Sequence, residues 1–204
     1  FSITTDASGN IYIFGDFSSE TITFDTITLI HNNYLMGFFI NHYIVKYDGA
    51  GNVLWASNLS EKGVDVINFE NHSLATDALG NLYQTGGFIQ DSLVCTTLTG
   101  EEGIIIVKYD NNGDLLWATA AGGNAFEMGR SIIIDDAKNI YVIGDFNSSP
   151  INLGSTTLTN TSGFGPFNDI FITKVFPQVT IIDITISNLS CNGCCDGTAA
   201  IIVS

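Results

Sequence analysis

The sequence predicts an all-β fold made of repeated units of short strands. Two observations carry this prediction: one strand–turn motif recurs three times, and a second motif recurs twice. Short alternating apolar segments accompany both motifs, whereas no stretch shows a 3.6-residue apolar period of helix length. Self-similarity at a fixed period is the signature of arrays of small supersecondary units.

The first motif holds an Asp, an Asn, a Tyr, a Gly and a Phe at constant offsets. Its copies are residues 6–17 (Asp-Ala-Ser-Gly-Asn-Ile-Tyr-Ile-Phe-Gly-Asp-Phe), residues 77–88 and residues 135–146. The motif's Asn recurs at Asn10, Asn81 and Asn139, that is, after 71 and then 58 residues. The period is therefore about 60 residues, and the insertions fall between motifs.

The second motif is Lys-Tyr-Asp-Gly-Ala-Gly-Asn-Val-Leu-Trp-Ala at residues 46–56, and it recurs at residues 108–118. Seven of its eleven positions are identical in the two copies. Its Asp-x-x-Gly segment is typical of a tight turn, because Gly supplies a positive φ and Asp bonds to its own loop.

Each unit divides into four predicted strands. The first strand (73–76, 131–134) leads into the Asp-centred turn, and the second alternates through Asn-Ile-Tyr-Val-Ile-Gly. The third runs over 43–47 or 104–109, and the fourth over 53–56 or 115–118. Four strands repeated radially form a β-propeller blade. A solenoid of stacked hairpins is the alternative, but its period is usually 20–45 residues.

The predicted units are blades at residues 1–62, 63–125 and 126–176, the last without its fourth strand. Because propellers need at least four blades, we expect these three to belong to a larger ring. The sequence pattern changes after residue 176. Residues 177–204 are predicted to form the first two strands of another module.

Composition excludes several partners. Six Lys and Arg against 21 Asp and Glu give a formal charge of −15, which repels nucleic acid and anionic lipid. Charged residues are 13% and hydrophobic residues 45%, which is not a disordered composition. No apolar run approaches the ~20 residues of a membrane span, so we expect no membrane insertion.

The two motifs together resemble the Bacteroidota-type β-propeller repeat family (the SBBP repeats) over about 175 residues. The tail Ile-Ser-Asn-Leu-Ser-Cys-Asn-Gly-Cys-Cys-Asp-Gly-Thr-Ala is similar to the start of the repeat of gliding-motility adhesins of the same phylum (the SprB repeat). This resemblance implies an immunoglobulin-like β-sandwich repeat after the propeller. It also implies a large secreted or cell-surface protein exported by the type IX system.

The resemblance also bears on the cysteines. Cys191 and Cys195 occupy the positions of its Cys-x-x-x-Cys-Asp-Gly pattern, which favours a disulfide between them in an oxidising compartment. Cys194 departs from the pattern. A metal knuckle is the alternative, but the fourth ligand of a tetrahedral site is missing nearby. Cys95 is expected as a small buried hydrophobe in a strand.

Two triplets, 25–27 and 91–93, match the short Asp-Ser/Thr-apolar sequence on which Bacteroidota attach O-glycans. Thr26 and Ser92 are therefore candidate O-glycosylation sites by the same resemblance.

Other candidates are weaker. The segment 110–114 resembles a calcium loop but lacks the distant bidentate Glu, so a plain turn is favoured. His31, His42 and His72 sit at unrelated repeat positions without a nucleophile motif, so structural roles are expected. The recurring Trp55 and Trp117 are expected to fill the same gap between blades.

We therefore expect a non-enzymatic structural or adhesive module of a large extracellular or cell-surface protein, with no cofactor and no metal. Binding would use loops on one propeller face, such as 28–38 and 159–167. Expected partners are other extracellular or surface proteins or glycans, and the remainder of the same polypeptide or neighbouring subunits that complete the propeller. The alternatives are a subunit of an extracellular filament or assembly, and a propeller-based hydrolase or oxidoreductase.

Overall fold

The computed structural model describes residues 1–31, 40–59, 72–89, 102–123, 125–153, 156–160 and 169–175. All regular secondary structure in these ranges is β-strand. None of the described segments is a helix with the length and apolarity that crossing a bilayer requires.

The first sheet is a four-stranded antiparallel meander of order β1-β2-β5-β6, with the hairpin β3–β4 inserted between its second and third strands. The strands are β1 (Ser2–Thr5), β2 (Ile11–Phe17), β3 (Thr21–Phe24), β4 (Ile27–Ile30), β5 (Asn41–Tyr47) and β6 (Val53–Asn58).

The second sheet repeats this meander as β7-β8-β9-β10. Its strands are β7 (Ser73–Thr76), β8 (Leu82–Ile89), β9 (Glu102–Tyr109) and β10 (Leu115–Ala121). The registers match those of the first sheet: the tyrosine of the second strand pairs with the lysine of the third, which pairs with the tryptophan of the fourth.

The third sheet has three described strands in the order β11-β12-β15, and the hairpin β13–β14 is inserted where β3–β4 lies in the first sheet. Its strands are β11 (Glu127–Ile134), β12 (Ile140–Phe146), β13 (Ile151–Leu153), β14 (Thr156–Leu158) and β15 (Asp169–Val175). Among the described residues, β15 is an edge strand.

The four-strand pattern predicted for each unit is confirmed in the first two sheets, and the predicted segments 43–47, 53–56, 73–76, 104–109, 115–118 and 131–134 lie within observed strands. The strand predicted around Cys95 lies outside the described residues. The two inserted hairpins were not predicted. Residues 28–30, expected as part of a binding loop, are strand β4 instead, because Thr23 and Thr28 pair across a turn at residues 25–26. The unit boundaries 1–62, 63–125, 126–176 and 177–204 stay predictions, and residues 177–204 lie outside the described part.

The first strands of the three sheets lie side by side. The Ser2 hydroxyl accepts the backbone N–H of Leu74 (3.2 Å), and the Ser73 hydroxyl accepts that of Ile132 (3.2 Å). Since Ser2 and Ser73 hold the same repeat position, one contact recurs from sheet to sheet. Such a repeated contact between first strands fits a radial arrangement of blades.

Two apolar layers hold the sheets together by removing aliphatic and aromatic surface from water. The layer between the first and second sheets consists of Tyr12, Phe14, Ile44, Leu59, Leu74, Leu82, Phe88, Ile105, Val107 and Tyr109. The layer between the second and third consists of Tyr83, Ile104, Ile106, Ile132, Ile140, Val142, Phe146, Ile151 and Phe171.

Antiparallel meanders place alternate connections at opposite ends of a sheet. One end of the stack carries the five Asp-centred turns and is named the turn face. The opposite end carries β3–β4 and β13–β14 and is named the insertion face.

Candidate interaction faces

The five turns of the turn face share one hydrogen-bond design. In the first, Asp6 Oδ1 accepts the N–H groups of Ser8 (2.9 Å) and Asn10 (3.0 Å), and Oδ2 accepts the Asn10 side-chain amide (2.8 Å). The fourth turn residue takes a positive φ, from +76° to +88° at four glycines and +64° at Lys138. The same backbone bond pattern recurs at the aspartates Asp6, Asp48, Asp77, Asp110 and Asp135.

These bonds favour the charged form of the carboxyl, and they lower the pKa of Asp6, Asp48, Asp77 and Asp135. At Asp48 the side-chain hydrogen bond from Asn52 is the largest cause and lowers the pKa of the carboxyl. At Asp6 and Asp77 burial acts to raise the pKa, but the bonds from the turn outweigh it, and the pKa is lowered. In the segment 110–114, Asp110 Oδ1 accepts the N–H groups of Asn112 and Asp114, which is the hydrogen-bond pattern of the other turns.

Behind the first turn, a tyrosine, a lysine and a tryptophan form one side-chain unit. The Tyr12 hydroxyl lies 3.2 Å from Asp6 Oδ2, and Lys46 Nζ lies 4.8 Å from the Tyr12 ring centroid and 3.8 Å from the same carboxylate. The Trp55 ring meets Tyr12 edge-on at 6.1 Å. Tyr12, Lys46 and Trp55 are named the first-sheet pocket.

The first-sheet pocket holds a turn of the second sheet. The backbone oxygen of Asn111 accepts hydrogen bonds from Lys46 Nζ (3.3 Å) and Trp55 Nε1 (3.1 Å), and Lys46 also bonds the Asn111 side-chain oxygen. Tyr12 donates to the carbonyl of Gly80 (2.9 Å). The prediction that Trp55 fills a gap between blades is thereby confirmed.

Tyr83, Lys108 and Trp117, named the second-sheet pocket, have the same geometry. Lys108 Nζ lies 4.9 Å from the Tyr83 ring centroid and 3.8 Å from Asp77, and the Trp117 ring meets Tyr83 at 6.3 Å. The Lys108 side chain is 20% exposed, against 4% for Lys46. Within the described ranges, no turn is bound to Lys108 and Trp117 as Asn111 is to the first-sheet pocket.

Near the insertion face, two histidines lie between the first and second sheets. Their rings are 5.5 Å apart, and Phe14 stacks on both, at 5.5 Å from His42 and 3.9 Å from His72. Burial is the main cause that lowers the pKa of His42 to about 4, against the opposite effect of Asp16. His42 is therefore neutral near pH 7 and is part of the packing. The His31 side chain is buried and meets the Phe17 ring edge-on.

The buried carboxylate of Glu127 holds the chain in place where it enters the third sheet. Glu127 accepts the N–H groups of Gly123 (3.1 Å) and Ser148 (3.2 Å) and the hydroxyl hydrogen of Ser148. Gly122 bridges to Asn152 of β13. These bonds thus connect the residues that follow β10 to the start of the hairpin β13–β14. Glu127 and Ser148 are named the Glu127–Ser148 node. Sequence reasoning missed it, since Glu127 and Ser148 belong to no repeated motif.

Thr26 is exposed at the tip of the β3–β4 hairpin, beside Asp25 with a φ of +52°. The structure thus places one candidate glycosylation site on the insertion face; its modification stays a prediction. Three other predictions fall outside the described residues: glycosylation of Ser92, burial of Cys95 and the Cys191–Cys195 disulfide. In the described ranges, no three His, Cys, Asp or Glu side chains are grouped so as to hold a metal ion.

No family model matches the chain. It is 28% identical over 165 residues to an uncharacterized WD repeat-containing protein of Acanthamoeba polyphaga mimivirus; the match covers 74% of this chain and 12% of that protein. The chain thus spans about an eighth of the relative that it matches. Together with the all-β structure, this relative indicates a repeat protein of the β-propeller type. Features specific to the SBBP and SprB repeats receive no support from this relative, and the blade number stays a prediction.

Proposed function

We propose that the chain is a repeat-based protein-interaction module that binds its partner through the insertion face. The observation that carries this proposal is that the turn face and the insertion face of the stack differ in how they are built. The turn face is built from five nearly identical turns, and the turns of the second sheet pack against the first. The insertion face carries the hairpins β3–β4 and β13–β14, which differ in sequence and strand length, and loops on a rigid scaffold are where binding residues concentrate. The relative's name, a WD repeat-containing protein, is in keeping with this role.

The test compares two exposed hairpin tips at opposite ends of the first sheet. Partners are first selected by screening the chain against a displayed protein library and a glycan array. Thr26→Arg on the insertion face is then expected to weaken binding about tenfold, whereas Ala50→Arg on the turn face changes it less than twofold. Absence of any selected ligand, or equal loss in both variants, overturns the proposal.

We place this module in a secreted or cell-surface protein in which it acts as an adhesive, non-enzymatic unit. The support is the motif resemblance of residues 1–176 and 186–199 to surface proteins, together with the acidic composition. Peptide mapping without reductant tests the oxidising compartment: a linked Cys191–Cys195 peptide is expected, and only free thiols at both positions would contradict it. Protease treatment of intact producing cells tests surface exposure directly.

Further blades of the same polypeptide, or neighbouring subunits, are the proposed neighbours of the third sheet. Ile170 and Ile172 on its outward face are 78% and 74% exposed, whereas the equivalent Ile104 and Ile106 of the second sheet are 1% and 6% exposed under the third sheet. Apolar surface of this kind is expected to be covered by another blade. Native mass spectrometry distinguishes the two sources: subunit completion requires oligomers, while a strict monomer removes it.

A further inference from the structure

We infer that the Asn112–Gly113 pair, in the turn that docks on the first-sheet pocket, is a site of spontaneous deamidation, and that the docking contact controls its rate. The reaction needs only water, so it requires no partner molecule. Conversion would in turn loosen the contact between the first and second sheets. The site lies on the turn face, so the inference is independent of the binding proposed for the insertion face.

Asn112 has the neighbour that this reaction favours. Deamidation begins when the backbone nitrogen of the following residue attacks the side-chain amide carbon, and glycine leaves that nitrogen uncrowded because it has no side chain. The asparagines that close the other turns are each followed by a bulky apolar residue, which crowds the attack; they are Asn10, Asn52, Asn81 and Asn139, followed by Ile, Val, Leu and Ile.

The Asn112 side chain is also less restrained than those of the other turn asparagines. It is exposed, and its Nδ2 lies 3.4 Å from Asp110 Oδ2, beyond the usual 2.7–3.2 Å range of an N–H···O bond. The asparagines that close the other four turns donate to their aspartate at 2.7–2.8 Å. The Asn112 amide is therefore the easiest of these to rotate towards the following nitrogen.

The backbone of the turn restrains the reaction. The Gly113 N–H donates to the Asp110 carbonyl (3.1 Å), and Gly113 packs against the Trp55 indole. The Asn111 carbonyl of the same turn is held by Lys46 (3.3 Å) and Trp55 (3.1 Å). The nitrogen can therefore attack only when the turn opens locally, which happens without global unfolding. The docking contact thus sets the rate.

The chemical step exchanges an amide for a carboxylate. Hydroxide removes the Gly113 N–H proton, and the nitrogen forms a bond to Asn112 Cγ. The Cγ–Nδ2 bond then breaks, and the leaving nitrogen takes protons from water and departs as ammonia, which regenerates the hydroxide. Water adds to the resulting succinimide ring and breaks one of its two C–N bonds. Cleavage at the main-chain carbonyl leaves isoaspartate, and cleavage at Cγ leaves aspartate.

Both products weaken the docking contact. Isoaspartate lengthens the main chain of the turn by one carbon atom, so the bonds that join Asp110 to the backbone of Gly113 and Asp114 no longer fit together. Either product adds a carboxylate to a turn that already carries Asp110 and Asp114, and like charges repel. Reversal would require ammonia, so the loosening increases with time.

Peptide mapping of the full chain during incubation in mildly alkaline buffer locates the site. Trypsin separates residues 109–130, which contain Asn112, from residues 47–62, which contain Asn52 of the equivalent first-sheet turn. Asn192, which precedes Gly193 outside the described residues, falls in a third peptide, 175–204. We expect Asn112 to gain the mass of an NH2-to-OH exchange about tenfold faster than Asn52. Equal rates at the two positions, or no conversion of Asn112, overturn the inference.

Two matched variants test the control by docking. Trp55→Phe removes the Nε1 donor to the Asn111 carbonyl and keeps an aromatic ring, so the lost hydrogen bond is expected to speed conversion about fivefold. Trp117→Phe makes the same change in the second-sheet pocket and is expected to have less than about a twofold effect. An unchanged rate in Trp55→Phe, or an equal rise in both, contradicts the inference. Lys46→Met, which removes the other donor, keeps the test valid if Trp55→Phe fails to fold.

Urea unfolding after incubation tests the consequence for the contact between the sheets. The parent chain and Asn112→Gln are incubated in parallel, because glutamine would have to close a larger ring and deamidates far more slowly. The unfolding midpoint is expected to fall with incubation time in the parent chain and to stay constant in Asn112→Gln. Parallel changes in the two proteins would contradict the loosening of the contact.

Discussion

Gly113 lies beneath the indole of Trp55, so closely that a Cβ built on this glycine would stand 3.0 Å from the ring carbons Cη2 and Cζ3. The glycine has a φ of +81° and lies two residues after Asn111, whose carbonyl is bonded to the same indole. The contact between the first and second sheets therefore requires a residue at position 113 that has no side chain and takes a positive φ. The sister turn at Gly51 has the same backbone conformation, but nothing lies within 4 Å of its added Cβ.

Gly113→Ala is expected to destabilise the protein more than Gly51→Ala. Both variants force alanine into the left-handed region, which costs about 1 kcal/mol. Only Gly113→Ala also pushes on Trp55, which we expect to add about 1 kcal/mol. Urea unfolding of both variants measures the difference. Equal free energies of unfolding would mean that the turn does not pack on the indole.

Tyr12→Phe is expected to cost about 1–2 kcal/mol, because it leaves a buried carbonyl, Gly80 O, without its donor at the contact between two sheets. Tyr141→Phe is the matched control: its hydroxyl has one long bond, 3.4 Å to Asp135, and the expected loss is about 0.5 kcal/mol or less. Both values come from denaturant midpoints at constant slope. A larger loss for Tyr141→Phe would contradict the assigned role of the Tyr12 hydroxyl.

The sequence predicts the strand order within each unit well, because each second strand begins at an Asp-x-x-x-Asn turn that bonds to itself and needs no distant partner. It predicts less about contacts between units. That Trp55 fills a gap follows from its repetition, but its partner, Asn111, lies 56 residues away and reaches it only through the packing of two sheets.

The inserted hairpins escape prediction for a local reason. The β3–β4 turn uses Asp25 and Thr26, with Asp25 at a φ of +52° where glycine or asparagine is usual, and its strands have four residues each. The Glu127–Ser148 node escapes because it occurs once, so repetition gives no signal. Non-repeated elements at the insertion face are thus the least predictable part of the chain.

Lys138→Gly is expected to stabilise the protein by about 0.5–1 kcal/mol, since Lys138 takes a φ of +64° at the turn position that four glycines occupy elsewhere. Lys138→Ala is the control, because it removes the same charge and keeps the backbone cost. Thermal unfolding of the two variants separates the effects. A gain shared by both would assign it to the lost charge rather than to the backbone.

His42 makes stability depend on pH between its two pKa values, about 4 in the folded chain and about 6.5 in the unfolded chain. Because the folded value is the lower one, the unfolded chain binds the proton first, so the stabilisation is complete above pH 6.5 and is lost as the pH falls towards 4. The difference corresponds to at most about 3 kcal/mol. Urea unfolding at pH 7 and pH 4.5 should show most of this loss, whereas His42→Phe, of similar size and without a titrating group, should not. If that variant fails to fold, NMR titration of the His42 ring in the parent chain provides the check, and a midpoint near 6.5 would contradict the burial of a neutral imidazole between the sheets.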